Sequence, residues 1–168
     1  SVGSIAIGYE ALNVEDDGDF STAVGYQALK AQTGTSGAVG NSAVGYQSGL
    51  AITTGISNTL MGYNAGIALT ESSGNVAIGK DALALETVGL YSTAVGERAL
   101  WQQNTGDTAS SENTAVGYQS GYFLTTANKG TFIGYRAGKG ITGTRLTGDS
   151  NTAVGADAGI ELEGAAHS

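Results

Sequence analysis

A five-position alternation recurs along the chain: a polar residue, a β-branched or small residue, Ala, an aliphatic residue and Gly, as in Asn113-Thr114-Ala115-Val116-Gly117. Close copies are Ser21-Thr22-Ala23-Val24-Gly25, Asn41-Ser42-Ala43-Val44-Gly45, Asn58-Thr59-Leu60-Met61-Gly62, Asn75-Val76-Ala77-Ile78-Gly79, Ser92-Thr93-Ala94-Val95-Gly96 and Asn151-Thr152-Ala153-Val154-Gly155; Ser4-Ile5-Ala6-Ile7-Gly8 and Gly130-Thr131-Phe132-Ile133-Gly134 are looser. The alternation places Thr114 and Val116 on one face of a strand and Ala115 on the other, and β-branched residues favour an extended chain. Each unit therefore predicts a short strand. The small face implies close neighbouring backbone, and the glycine a bend.

Successive motif glycines lie 17, 20, 17, 17, 17, 21, 17 and 21 residues apart, which defines a repeat of 17 residues in nine units. Tyr follows the glycine in six units. The chain then continues with Leu, as at Leu29 and Leu83, or with Gly and later bulky residues, as in Gly49-Leu50-Ala51-Ile52. A second strand is predicted here, with the glycine acting as a bulge that restores register. Seventeen residues extend at most about 56 Å, enough for one circuit of a flattened coil and too short for a helix pair. The prediction is an all-β parallel β-solenoid of nine turns, one domain over residues 1–168, about 43 Å long at a strand spacing of about 4.8 Å. Three longer loops, 33–40, 103–112 and 140–150, interrupt the rule and are where recognition is expected.

Composition narrows the function. Charged residues make up 13% of the chain, about half the usual 25%, and the net charge of −8 disfavours nucleic acid and anionic lipid as partners. No apolar run approaches the roughly 18 residues of a membrane-spanning helix. Cysteine is absent and His167 is the single histidine, so thiolate sites and histidine triads are unavailable. No cofactor and no catalytic residue is expected.

The Asn/Ser-Thr/Ser-Ala-Val-Gly units resemble the head repeats of YadA-like trimeric autotransporter adhesins, and the form extended by Tyr-Gln-Ala/Ser resembles repeats of bacteriophage tail-fibre proteins. The longer unit favours the tail-fibre comparison. The resemblance implies a left-handed β-roll, a homotrimer, a location on a virion or cell surface, and attachment to a host receptor or glycan by a segment of a longer fibre. A narrow coil filled by Ala, Ser and Gly also buries little apolar area per turn, so the Val/Ile or Tyr column needs a partner surface. A self-assembling filament, and a polysaccharide depolymerase with an intersubunit site, are the alternatives.

Candidate ligand-binding residues are Trp101, Asp107, Arg145, Tyr118 and Tyr135. Trp101 opens a long loop, where an indole packs or binds. Tyr118 and Tyr135 belong to a column with Tyr9, Tyr26, Tyr46 and Tyr63 that is either a structural ladder or a track for sugar rings. The acidic run holding Asp16, Asp17 and Asp19 suits calcium chemically but lacks the spacing of a calcium loop. A threonine column (Thr22, Thr59, Thr93, Thr114, Thr131, Thr152) raises ice binding. Against it, the column also holds Ile5, Ser42 and Val76, and a face shared with Val and Ile is more easily buried than presented. The Asn column (Asn41, Asn58, Asn75, Asn113, Asn151) is expected to hold turns through side-chain to backbone bonds.

Overall fold

A computed structural model describes residues 3–34, 37–106, 110–140 and 147–161. Among these residues there are eleven short strands and no helix: β1 (Ile5–Ile7), β2 (Gly18–Asp19), β3 (Thr22–Val24), β4 (Gly37–Ala38), β5 (Ser42–Val44), β6 (Thr59–Met61), β7 (Val76–Ile78), β8 (Thr93–Val95), β9 (Thr114–Val116), β10 (Thr131–Ile133) and β11 (Thr152–Val154). The nine motif strands form one parallel sheet in the order β1-β3-β5-β6-β7-β8-β9-β10-β11. Its register matches motif position to motif position throughout, for instance Thr93 with Thr114 and Val95 with Val116. The fold is a parallel β-solenoid of about eight turns with about 17 residues each, since nine strands enclose eight circuits. β2 and β4 make a small second sheet beside the first long loop.

The interior is lined by the small face. Ala23, Ala43, Ala77, Ala94 and Ala115 are fully buried, and only Leu60 and Phe132 enlarge that column. The Thr and Val/Ile columns point outward. The β-branched face is therefore left outside the coil of a single chain. Within one chain the coil is so narrow that only one side of a three-residue strand can face inward.

The predicted second strand is absent among the described residues. After each glycine the chain runs through turn geometry with left-handed residues two and four positions on, such as Gln27 (φ 56°) and Leu29 (φ 49°), or Gln47 (φ 52°) and Gly49 (φ 63°). A left-handed residue costs about 1–2 kcal/mol unless it is Gly. The turns recover this by bonding along the coil axis in both directions: Gln27 N–H donates to the Tyr9 carbonyl at 2.8 Å, and Leu29 N–H to the Ser48 carbonyl at 3.0 Å. Leu29 and Gly49 thus occupy the same place, so the glycine is an exchange rather than a bulge. The two forms fill the core differently. Leu29, Leu83 and Leu100 are buried and have Gln32, Glu86 and Gln103 buried three residues later; Gly49, Gly66 and Gly121 are followed at that distance by buried Ile52, Leu69 and Leu124.

The motif glycine itself is obligatory. At Gly79 (φ 128°), an added Cβ would lie 2.6 Å from the carbonyl of Gly96 in the next turn, well inside van der Waals contact distance.

Candidate functional site

A buried polar spine runs beside the Ala column. Glu86 is fully buried, and its Oε1 accepts the backbone N–H groups of Thr87, Val88 and Gly89 at 2.9, 3.2 and 2.9 Å. Its Oε2 accepts Gln103 Nε2 at 3.0 Å and Thr105 N–H at 3.3 Å, the latter from the second long loop. Gln103 Oε1 then accepts Asn113 Nδ2 at 2.9 Å, and Asn113 Oδ1 accepts Gly130 N–H at 2.7 Å. The same set recurs four units earlier: Glu15 accepts Gln32 Nε2, Gln32 Oε1 accepts Asn41 Nδ2 at 2.9 Å, and Asn41 Oδ1 accepts Asn58 N–H at 2.8 Å. Asn75 N–H donates to Asn58 Oδ1 at 3.0 Å and Ser92 N–H to Asn75 Oδ1 at 2.8 Å.

Every donor in these chains points back toward a carboxylate, the side-chain group that accepts at both ends. Each Glu–Gln pair also stands where a long loop begins, 33–40 or 103–112, and Glu86 anchors the second of these through Thr105 N–H. The Asn column does bond backbone, though of the following turn as well as its own. Glu15, Gln32, Glu86 and Gln103 do not stand out in the sequence one unit at a time, although aligning the units exposes them as Leu-x-x-Glu/Gln against Gly-x-x-Ile/Leu.

Trp101 is half-buried. Its ring stacks on Tyr122 at 5.0 Å and 15°, Phe123 meets Tyr122 edge-on at 4.7 Å, and Lys139 Nζ lies 5.7 Å from the Tyr122 ring centre. Burial, followed by the nearby Arg136 charge, lowers the Lys139 pKa. Beside this cluster a groove of about 340 Å³ is lined by Leu85, Gln102, Asn104, Thr125 and Thr126. Amide and hydroxyl groups over one apolar wall suit hydrogen bonding to a polyol. None of the five side chains ionises, so the groove offers no acid or base of its own.

Tyr118 and Tyr135 stack at 5.5 Å in a column separate from Trp101. Tyr9, Tyr26, Tyr46 and Tyr63 stack at 5.3, 5.1 and 4.9 Å. The rings of Tyr26 and Tyr46 are covered on both faces, leaving only edges to solvent, which is the geometry of a ladder. Between the two Tyr runs stand Lys80 and Glu97. Asp107 and Arg145 lie outside the described residues. Asp16 and Asp17 lie just before β2, Asp19 sits on it, and Glu15 turns inward to the spine. Among the described residues no group of three or more His, Cys, Asp or Glu is placed to hold a metal ion, and no helix is long and apolar enough to cross a membrane.

The outward face of the large sheet is exposed along much of its length among the described residues. Ile7, Val44, Met61, Val116, Ile133 and Val154 are 37–64% exposed along one column, and the Tyr residues flank it at 39–64%. The fold defines a parallel β-solenoid repeat protein. Comparison with protein-family models, curated proteins and solved structures found no match to the chain.

Proposed function

We propose that this chain is a rod-like segment of a trimeric surface fibre, of the phage tail-fibre or adhesin-like kind, that attaches to glycans on a host surface. The observation that carries this reading is the outward aliphatic column. Nine strands present it in register, six of its residues exposed and Val24, Ile78 and Val95 half-buried, and an exposed apolar patch marks an interaction site. In a trimer of left-handed rolls the three columns would cover one another. The rod would stand on a virion or outside a cell, where the uncharged groove beside Trp101 would meet sugar hydroxyls.

A glycan array probed with the wild-type oligomer and with Trp101→Ala and Asn104→Ala variants tests the attachment. Binding by wild type that both variants lose, at unchanged mass, supports the groove; equal binding by all three relocates recognition elsewhere. A second reading uses the same face: Ser42, Thr59 and Thr152 are exposed in register on the parallel sheet, an arrangement that can order water at an ice surface. Thermal hysteresis in solution would favour that reading over the fibre.

A further inference from the structure

We infer that Lys80, Asp81, Glu97 and Arg98 form a registration device that sets the axial alignment between copies of this chain. The inference rests on the trimer reading. A surface that repeats turn after turn over nine units is matched best by a partner with the same period, and a second copy has that period by construction. Such a surface has a defect as an interface. Val against Val, and the Tyr column against the Gln column beside it, fit almost equally well after a slip of one whole turn, about 4.8 Å, so this packing alone leaves the alignment degenerate.

The column of residues after the motif glycine reads Tyr9, Tyr26, Tyr46, Tyr63, Lys80, Glu97, Tyr118, Tyr135, Ala156, and the next column reads Glu10, Gln27, Gln47, Asn64, Asp81, Arg98, Gln119, Arg136, Asp157. In the fifth and sixth units both columns become charged together. The result is a two-by-two checkerboard, Lys80 beside Asp81 on one turn and Glu97 beside Arg98 on the next. Within the chain the bridges run between turns: Lys80 Nζ lies 3.9 Å from Glu97 Oε1, and Arg98 Nε 3.6 Å from Asp81 Oδ2. Both are long, and the Lys80, Glu97 and Arg98 side chains are 51%, 42% and 37% exposed, so these three retain capacity for a further partner; Asp81 is 15% exposed and also accepts Asn64 Nδ2 at 3.3 Å, so it acts on a neighbour through its charge.

In a closed ring the contact between neighbours is heterologous, so unlike columns meet. In register, Lys80 of one copy then faces Asp81 of the next, and Glu97 faces Arg98. A slip of one turn in one direction sets Lys80 against Arg98; in the other it sets Glu97 against Asp81. Both slips bring like charges together, and like-charge contact is a strong discriminator at interfaces. A single polar position that fixes alignment within an otherwise uniform apolar seam has precedent in coiled coils.

The chain has no cysteine, which makes the test direct. Met61→Cys and Ile78→Cys chains, one turn apart in the outward column, are mixed, assembled and oxidised, and the linked peptides are identified by mass spectrometry. Two patch variants are compared with the native patch. One restores the common units (Lys80→Tyr, Asp81→Gln, Glu97→Tyr, Arg98→Gln). The other inverts the checkerboard (Lys80→Glu, Asp81→Lys, Glu97→Lys, Arg98→Glu). We expect same-level links to exceed cross-level links by at least about tenfold in the native and inverted patches, as several kcal/mol of like-charge cost would give, and the ratio to collapse toward parity in the Tyr/Gln variant. Same-level links in all three overturn the registration device while leaving the trimer standing. Cross-level links with the native patch, or no links in an oligomer of trimeric mass, also overturn it. A monomeric native chain overturns the device and the proposed function together.

Discussion

The Glu86 carboxylate and the Gln103 amide, one turn apart and both fully buried, are joined by a 3.0 Å hydrogen bond that fixes the direction of the polar spine. Replacing Glu86 by Gln puts an NH2 group among donors, either the three backbone N–H groups or Gln103 and Thr105. Two or three donors then lose their acceptor, at a cost of about 1–3 kcal/mol for each that is buried. Exchanging the pair (Glu86→Gln with Gln103→Glu) lets the new amide at position 86 donate to a carboxylate that still accepts Asn113. Chemical denaturation should therefore find the exchange less destabilising than Glu86→Gln alone. The single variant should also expose loop 103–112 to protease sooner.

Gly79→Ala tests the claim that turns are stacked at the limit of backbone contact. The new Cβ would press on the Gly96 carbonyl at 2.6 Å in a left-handed conformation that alanine also resists. Both effects are unfavourable, and a loss of about 3 kcal/mol or more is expected. Gly106 is also left-handed, but no described residue lies within 4 Å of a Cβ added there, so Gly106→Ala should lower the thermal midpoint far less.

The Glu10 carboxyl titrates below the usual range, first because Lys30 donates to it at 2.7 Å and then because Gln27 does. A folded pKa below the unfolded one gives stability that is complete above the unfolded value and is lost as pH falls through the folded one. The pair is exposed, so the effect is small and weakens with salt. Thermal midpoints measured from neutral to acid pH should fall less steeply in Glu10→Gln than in wild type, and the difference should shrink in high salt.

The repeat, the parallel strand, the bend at the glycine and the tyrosine ladder are legible because each is a column visible in the letters. Strand sidedness is not. Alternation separates Thr114 and Val116 from Ala115, but only the width of the coil decides which set faces inward, and Ala wins because the interior is narrow. The turn is hidden for a related reason. Gln27, Leu29 and Arg98 are ordinary residues held at positive φ by bonds to neighbouring turns, and no residue preference announces that. The site is legible in part: Trp101 is in place beside a groove, whereas Gln102, Asn104, Thr125 and Thr126 belong to different turns and come together only when the coil is wound.

The mass of the native chain in solution tests the central claim most directly, because the outward Val/Ile column is the feature from which the fibre reading follows. Light scattering coupled to size-exclusion chromatography should give three times the 16.7 kDa chain mass, and Val95→Lys on the same column should reduce it to one. A native chain that stays at the mass of one copy across concentrations, with that column in water, would contradict the account.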